Sequence, residues 1–328
     1  MGTEPALRLR GVTKTFGATR AVDGLDLVVP RGVTCGVIGP SGAGKTTCIR
    51  MIMSILFPDA GELTVLGRKS ALEAKSRIGY LPEERGVYRK MRVADFLSYI
   101  AQLKDVGEAE ARTRSRTLLA RLGLPDVETK RCEDLSKGML QRVQFVAAIV
   151  NQPDLIMLDE PFSGLDPVTV LKMKEVIAAE QTRGATVLFS THVMPHAEEL
   201  CQHVVMIHKG RKVLDEAMAG LRRQFDPTLL HFEPLDAGAD LSALRSVPGV
   251  REMRPLDGGC DLHLLPDVDP AAVMRQVAAG VAPARLELAR VRLEDVFIRL
   301  VGESAADAEA ERALRASLQG LGTETALV

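Results

Sequence analysis

The chain has 328 residues, of which 46% are hydrophobic and 26% are charged, and its formal net charge is −1. That length is sufficient for two domains, since single hydrophobic cores rarely grow past about 250–300 residues. The balanced charge excludes a global basic field for nucleic acid or an anionic bilayer, and no apolar run approaches the roughly 20 residues of a membrane-spanning helix.

The N-terminal residues and the cysteines bear on the cellular compartment. The first ten residues, MGTEPALRLR, contain no apolar signal core. The cysteines are scattered without a CxxC pair, which is typical of a reduced, cytosolic protein. We therefore expect a cytosolic chain with structural cysteines, which are Cys35, Cys48, Cys132, Cys201 and Cys260.

The first part of the chain predicts strands that lead into a phosphate-binding loop. Dense apolar segments between residues 7 and 38 indicate strands, the last of them buried. GPSGAGKTT at 39–47 then opens a helix, the context that this glycine-rich motif requires. Its backbone N–H groups are expected to bind phosphate oxygens. The predicted nucleotide-binding residues are Gly39, Pro40, Ser41, Gly42, Ala43, Gly44, Lys45, Thr46 and Thr47.

Two side chains of this loop have separate predicted roles. Lys45 should reach the β- and γ-phosphates and so take part in catalysis, and the Thr46 hydroxyl should ligate Mg²⁺. The helix that follows carries an apolar stripe and should run as far as Pro58, because proline ends helices.

Strands and a helical insertion are predicted in the middle of the chain. The residues at about 90–150 show repeated helical spacing of apolar side chains. Within them, the arginine-rich part at 111–124 is flanked by acidic residues, which favours a solvated helix face over a nucleic-acid surface. Strand-like segments lie before and after this insertion, at 62–66, 77–81, 155–159 and 185–190.

A second motif, LIMLDE at 155–160, complements the phosphate loop. Its apolar residues predict a buried strand that places Asp159 at the strand end, where a carboxylate can hold Mg²⁺. Glu160 follows and is a candidate general base for water, a role worth about 10²–10⁴ in rate. These two motifs alone leave GTPases, kinases and helicases open.

The pattern changes after a predicted hairpin at 204–216. From about residue 228 we predict strand, helix, strand, strand, helix and strand, the order of a ferredoxin-like α+β unit. Asp269 and Pro270 suit the N-cap and first turn of its second helix. A final helix with an apolar stripe follows, and the tail from about 304 is expected to be flexible.

Further short motifs resemble those of one family. LSKGMLQRV at 135–143 precedes the acidic motif, SGLDP at 163–167 follows it, and STH at 190–192 ends the next predicted strand. Together with Phe16, and in the family's order, these motifs resemble the ATP-binding-cassette (ABC) ATPases over about residues 7–220.

The resemblance implies an α/β fold with two domains. Residues 1–225 would form a P-loop ABC ATPase domain, with a RecA-like core, an antiparallel β subdomain and a helical subdomain at about 90–150. Residues 226–303 would form a small C-terminal accessory domain, the α+β ferredoxin-like unit, and residues 304–328 a flexible tail.

The resemblance also implies roles for single residues, with ATP and Mg²⁺ as cofactors. Phe16 would stack on the adenine, and Asp159 would support Mg²⁺. Glu160 would be the catalytic base, and His192 would contact the γ-phosphate.

A head-to-tail dimer that encloses two ATP molecules is also implied. Each subunit would reach the γ-phosphate held by the other through Ser136 and Gly138, with Asp166 at the interface. A serine hydroxyl and backbone amides at a helix N-terminus are good donors to anions.

Two parts of the sequence depart from the usual family pattern. Lys137 and Met139 replace the first glycine and the glutamine of Leu-Ser-Gly-Gly-Gln. Glu83 stands where the family tends to place a glutamine that senses magnesium and the membrane partner. A carboxylate here could bind Mg²⁺ through water. These variants, and the C-terminal LEDVFIRLVGE, resemble the ABC-2 branch that serves multidrug- and sodium-type exporters.

These features predict an ATP-hydrolysing subunit of an exporter. It would dock on the cytoplasmic face of the membrane onto separately encoded integral membrane permease subunits, and pair with a second copy or a paralogous ATPase. No nucleic-acid partner is expected. An importer ATPase, and a soluble ABC ATPase acting on nucleic acid or ribosomes, are the alternatives. For the C-terminal unit, a dimer-stabilising or regulatory role is favoured over ligand binding.

Overall fold

The chain folds into two compact units. The first runs to Met218 and resumes at Phe297, and the second spans Ala219–Val296. None of the helices described is long and apolar enough to cross a lipid bilayer. The structure, a computed structural model, describes residues 4–84, 86–224, 229–265, 268–288 and 292–302.

Strands and helices alternate along the first unit. The strands are β1 (Leu7–Phe16), β2 (Thr19–Val29), β3 (Thr34–Ile38), β4 (Ala60–Val65), β5 (Ile78–Leu81), β6 (Leu155–Asp159), β7 (Thr186–Thr191), β8 (His203–His208) and β9 (Arg211–Ala217). The helices are α1 (Lys45–Ile52), α2 (Val93–Gln102), α3 (Glu108–Arg121), α4 (Lys137–Ile149), α5 (Pro167–Thr182) and α6 (Met194–Leu200). Helix α7 (Met218–Gln224) begins at the last residue of this part of the first unit and continues into the second. Short 3₁₀ helices lie at Ala71–Arg77 and Cys132–Asp134.

A six-stranded sheet brings the predicted functional residues to one edge. Its order is β5-β6-β7-β3-β8-β9, and every pair is parallel except β8 with β9. The strands β3, β6 and β7 are buried along their whole length, as expected of parallel strands covered on both faces. Because parallel strands end at the same edge, the phosphate loop, Asp159 and His192 meet there.

A three-stranded antiparallel sheet with the order β2-β1-β4 completes the first unit's β structure. Leu7 of β1 and Leu27 of β2 are buried in the same apolar core as Ile49 of α1 and Val205 of β8. One continuous core therefore packs the antiparallel sheet, α1 and the central sheet together. The loop between β3 and α1 is anchored at both of its ends.

The helices α2, α3 and α4 occupy the segment that the sequence predicts as helical. Val93 and Phe96 of α2 are buried, which confirms the predicted apolar stripe. On α3, Arg112 pairs with Glu108 at 3.0 Å in an i,i+4 arrangement. Arg114 likewise pairs with Glu110 on the same helix, whereas Arg116 pairs with Glu128 outside it. These ion pairs agree with the predicted solvated helix face.

Helix α1 ends earlier than predicted. The apolar stripe and Pro58 predict a helix that reaches the proline, whereas α1 ends at Ile52. Ser54 adopts a left-handed conformation with φ of 57°, and the N–H of Ile55 donates to the Arg50 carbonyl at 2.9 Å. This left-handed turn ends the helix before the proline. The apolar spacing of the sequence gives no sign of the turn.

The second unit is built from a smaller sheet and few helices. Its elements after α7 are β10 (Leu229–Pro234), β11 (Val250–Leu256), β12 (Gly259–Leu264), α8 (Pro270–Gly280), β13 (Pro283–Leu288) and the start of α9 (Leu293–Gly302). The residues of α9 from Phe297 onward belong to the first unit.

The sheet of the second unit is antiparallel with the order β11-β12-β10-β13. The first and third strands are central, which confirms the ferredoxin-like arrangement. Leu230, Phe232 and Val277 form part of its buried core. Asp269 caps α8 by accepting the N–H of Ala271 at 3.0 Å, as predicted.

One predicted helix of this unit is smaller than expected. The sequence predicts a helix around residues 241–247, where the structure contains only a 3₁₀ helix at Ser242–Ser246. The predicted last strand is observed as far as Leu288. Its residues 289–291 and the predicted tail at 304–328 lie outside the described residues.

Candidate active site

The phosphate loop passes close to backbone atoms at two of its glycines. Gly39 has φ of 152°, and a Cβ there would lie 2.1 Å from the carbonyl oxygen of Ile207. Gly44 has φ of 107°, and a Cβ there would lie 2.3 Å from the carbonyl oxygen of Ala21. Only glycine fits at these two positions. Nothing lies within 4 Å of a Cβ built on Gly42, so the space beside the loop is open to a ligand.

Lys45, the first residue of α1, is buried against the loop. Its Nζ donates to the carbonyls of Gly39 at 2.8 Å and Pro40 at 3.1 Å, and lies 3.6 Å from Glu160 Oε1. Burial lowers the pKa of Lys45, and the charge of Glu160 opposes that shift. A buried amine held mainly by carbonyl oxygens is well placed to bind an anion.

Thr46 faces two carboxylates. Its Oγ1 lies 3.2 Å from Asp159 Oδ1 and 3.4 Å from Glu83 Oε2. Within the described part of the chain, Asp159 Oδ2 is buried without a hydrogen-bond partner. Burial raises the pKa of Asp159, and hydrogen bonds from Ser190 and Thr46 oppose that rise.

These oxygen donors fit a magnesium ion that also binds phosphate. Hydroxyl and carboxylate oxygens are the ligands that Mg²⁺ prefers, together with substrate phosphates and water. Among the described residues, no group of three or more His, Cys, Asp or Glu side chains could hold a metal by itself. A metal at Thr46 and Asp159 would therefore depend on phosphate oxygens and water for its remaining ligands.

Glu160 lies directly after β6 and has an unusual backbone. Its φ is 46°, in the left-handed region that non-glycine residues seldom adopt. His192 Nδ1 lies 2.9 Å from Glu160 Oε1. This hydrogen bond raises the pKa of His192 above its ordinary value, and burial opposes the rise. The structure thus places two of the three predicted catalytic side chains in direct contact at the sheet edge, and the third, Lys45, lies 3.6 Å from Glu160.

Phe16 lies at the end of β1 with 48% of its surface exposed. Lys14 Nζ lies 5.6 Å from the centroid of its ring. An exposed aromatic ring offers a face on which a base can stack. Its predicted contact with adenine remains a prediction.

Ser136, Gly138 and Asp166 lie at the starts of two other helices. Ser136 caps α4 by accepting the N–H of Met139 at 3.3 Å, and Asp166 caps α5 by accepting the N–H of Thr169 at 2.9 Å. In the part of the chain that the structure describes, no hydrogen bond or ion pair joins these three residues to the phosphate loop. Contacts between side chains do link six of the predicted site residues in two sets, namely Lys45 with Glu160 and His192, and Thr46 with Glu83 and Asp159.

Sequence analysis missed one side chain that touches this group. Ser190 Oγ donates to Asp159 Oδ1 at 2.5 Å and accepts the N–H of Glu160 at 3.0 Å. The motif at 190–192 contains Ser190, but the sequence gives it no role of its own. The signal that identifies it is the register of β6 and β7, which places Asp159 beside Ser190.

Comparison with known proteins defines the class. Residues 22–163 match the family model described as ABC transporter. The ABC transporter ATP-binding protein YhaQ of Bacillus subtilis is 38% identical over 296 residues, which cover 90% of this chain and 98% of YhaQ. A solved structure of an ATP binding subunit of an ABC transporter superposes with a TM-score of 0.63 at 30% identity, covering 67% of this chain and 93% of that one.

The chain therefore belongs to the ABC transporter ATP-binding proteins, and it is an ATPase. More particularly, it is the ATP-binding subunit of an ABC transporter, with relatives of the predicted branch. One is the daunorubicin/doxorubicin resistance ATP-binding protein DrrA of Streptomyces peucetius, 32% identical over 326 residues, which cover 95% of this chain and 98% of DrrA. The family resemblance and the P-loop α/β fold predicted from the sequence are both confirmed.

Proposed function

We propose that this subunit powers an exporter, by binding and hydrolysing Mg²⁺–ATP between two ATPase subunits docked on separate membrane subunits. The observation that carries the proposal is the similarity to DrrA along 95% of the chain, which includes the second unit. DrrA is named for drug resistance, which export of a drug can confer, so this relative supports an exporter. The departures at Glu83, Lys137 and Met139 support the same branch.

Each residue of the site has a separate role in ATP hydrolysis. Phe16 stacks on the adenine, and the loop amides with Lys45 bind the β- and γ-phosphates. Glu160 accepts a proton from the attacking water, and His192 contacts the γ-phosphate. Mg²⁺, when bound, neutralises charge on the phosphate oxygens. Thr46 and Asp159 are the residues that would hold it, with Glu83 acting through water.

Closure of two subunits completes each site. Ser136 and Gly138 at the start of α4 donate to the γ-phosphate held by the other subunit, and Asp166 lies at the interface. The exposure of Ser136 and Asp166 supports this role, since the N-terminus of a helix favours anions. Because closure requires the γ-phosphate, hydrolysis releases the two subunits.

The membrane partner docks on the surface beside the loop that follows β5. Tyr88 and Leu103 are 53% and 54% exposed, and the rings of Tyr88 and Tyr99 lie 5.5 Å apart. A cleft of about 210 Å³ beside them is lined mostly by apolar side chains, together with Lys104 and Gln144. Among the described residues, the Oε1 of Gln144 is buried without a hydrogen-bond partner. An exposed apolar patch beside a cleft suits a protein partner.

The remaining assignments concern the second unit and the location. The second unit stabilises or regulates the dimer. The protein works on the cytoplasmic face of the cell membrane, held there by its permease subunits and paired with a second copy or a paralogous ATPase. No nucleic acid takes part.

The test is an affinity pull-down of tagged Glu160→Gln protein from native membranes, with and without ATP. Loss of the general base should lower turnover about 100-fold or more while ATP still binds, so the variant should accumulate as a closed dimer. A multi-span membrane protein should co-purify. Tagged Lys45→Ala protein is the control, because it should fail to bind ATP and therefore to close.

The outcomes separate the alternatives. Ribosomes or DNA in place of a membrane protein would replace the transporter proposal with a soluble ABC ATPase. A transport requirement for an external binding protein would indicate an importer. Turnover by Glu160→Gln at a near wild-type rate would remove Glu160 as the base. In the same assay, Tyr99→Arg should lose the membrane protein while keeping ATP binding.

A further inference from the structure

Ser190 lies between the two acidic residues to which the proposed mechanism assigns the metal and the water. It is fully buried in β7, with 0% of its surface exposed. Its Oγ donates to Asp159 Oδ1 at 2.5 Å and accepts the Glu160 N–H at 3.0 Å. The Ser190 hydroxyl therefore donates a hydrogen bond to Asp159 and accepts one from the next residue, Glu160.

The hydrogen bond to Glu160 supports a strained backbone. Glu160 has φ of 46°, a conformation that is costly for a residue with a Cβ. A buried N–H without a partner is costly as well, so the Ser190 hydroxyl favours this turn over other conformations of the peptide. The turn sets where the Glu160 side chain starts, and that side chain reaches His192 Nδ1 at 2.9 Å.

The hydrogen bond to Asp159 fixes the other carboxylate. Asp159 Oδ1 lies between Ser190 and Thr46 Oγ1, the latter at 3.2 Å. Oδ2 is then the oxygen that remains without a partner among the described residues. The orientation of Asp159 toward Thr46 thus depends on the same hydroxyl that holds the Glu160 backbone.

We propose that Ser190 is a positioning residue for ATP hydrolysis, whose hydroxyl sets the placement of Asp159 relative to Glu160. This inference rests on the proposed roles of those two residues. Substitution of Ser190 should therefore alter the turnover rate and the nucleotide binding that depends on metal. Nucleotide affinity without metal depends on the phosphate loop and Phe16, which Ser190 does not contact by any hydrogen bond described.

The test compares Ser190→Ala with Thr186→Val. Thr186 is 1% exposed on the same strand, and its Oγ1 accepts the Gly32 N–H at 2.9 Å. Both variants therefore remove a buried hydroxyl and leave an amide without its partner, but only Ser190 contacts the acidic residues. Ser190→Thr keeps the hydroxyl and should restore turnover. Ser190→Cys preserves the volume and takes the place of Ser190→Ala if that variant fails to fold.

Three quantities are measured on the full chain: kcat, the affinity for a fluorescent ATP analogue with Mg²⁺ and with EDTA, and the Tm. We expect Ser190→Ala to lower kcat about 10- to 100-fold, as a misplaced catalytic group does. The ratio of the affinities with Mg²⁺ and with EDTA should fall severalfold, with the EDTA value unchanged. Thr186→Val should lower only the Tm.

Two results would overturn the inference. One is a kcat of Ser190→Ala within twofold of wild type. The other is an equal loss of kcat in Thr186→Val at a matched loss of Tm, which would make the effect one of stability. Glu160→Gln, assayed in parallel, separates the two proposals. If it blocks turnover and Ser190→Ala does not, the proposed function stands and the role of Ser190 fails.

Discussion

Glu83 adds a carboxylate to the proposed metal position, which already contains Asp159. Its Oε2 lies 3.4 Å from Thr46 Oγ1, the hydroxyl that is also 3.2 Å from Asp159 Oδ1. A neutral glutamine, which the family tends to place here, would coordinate without this charge. The extra charge should strengthen the attraction for Mg²⁺.

We therefore predict that Glu83→Gln weakens the response to Mg²⁺. The Mg²⁺ concentration that half-saturates nucleotide binding should rise about five- to tenfold, the effect of removing one exposed charge near a cation. A Mg²⁺ titration with a fluorescent ATP analogue measures it. Glu84→Gln is the matched control, because Glu84 is exposed and pairs with Arg50 instead. Equal shifts in both variants would contradict the prediction.

At this scale the sequence predicts the residues of the site but not their mutual arrangement. The loop at 39–47 and the acidic motif are recognisable because spacing and residue type are enough to specify them. The left-handed φ of Glu160 and the hydroxyl of Ser190 depend on the register of two strands distant in sequence. No local pattern contains that register, so both features require the structure.

At the scale of elements, the pair β10 and β12 joins His231 to Asp261. His231 Nδ1 lies 2.8 Å from Asp261 Oδ1, and its Nε2 lies 3.3 Å from Glu233 Oε1, which also receives Arg285. The hydrogen bond with Asp261 raises the pKa of His231, and burial opposes that rise. A raised pKa in the folded state means that protonation stabilises this sheet.

This raised pKa predicts how stability changes with pH. The contribution of His231 should be fully present below the unfolded pKa of about 6.5 and be lost as the pH rises through the higher folded pKa. His231→Gln should remove this component, which is small because the pair is partly exposed. Urea unfolding of both proteins across pH 5.5–8.5 measures it, alongside an NMR titration of His231. A titration midpoint at or below 6.5 would contradict the prediction.

Elements were predictable where the backbone stays regular along the whole apolar pattern. The buried strands and α2 match their apolar patterns from end to end. The predicted end of α1 was wrong because the left-handed backbone of Ser54 stops the helix within a continuous apolar stripe. The helix predicted around residues 241–247 was wrong in type, because a 3₁₀ helix of five residues has the same apolar spacing as a short α-helix.

At the scale of the whole molecule, the chain leaves its first unit and later returns to it. The second unit spans Ala219–Val296, and Phe297 belongs to the first unit, where its ring lies 5.8 Å from that of His208. Removal of residues 226–328 therefore also removes an apolar side chain from the first unit. A deletion experiment needs a control for that loss.

We predict that deletion of 226–328 weakens ATP-driven dimerisation and spares nucleotide binding. In a Glu160→Gln background, the dimer dissociation constant should rise by at least about tenfold, which corresponds to about 1.4 kcal/mol of lost contacts. Analytical ultracentrifugation with ATP measures it. Deletion of 303–328 and the full-length Phe297→Ala variant should leave the constant near that of the parent. Dimerisation of the long deletion at full strength would leave the second unit without this role.

The contacts of Glu160 have a consequence for the order of events during turnover. Lys45 and His192 both lie against this carboxylate in the structure, at 3.6 Å and 2.9 Å, and both are proposed to meet the γ-phosphate. On the proposed roles, the γ-phosphate of an arriving nucleotide would take these two partners from Glu160. Glu160, the proposed base, would then be free to accept a proton from water only after the phosphate has taken Lys45 and His192 from it. If these roles hold, the contacts of Glu160 would keep the proposed base occupied until ATP is bound.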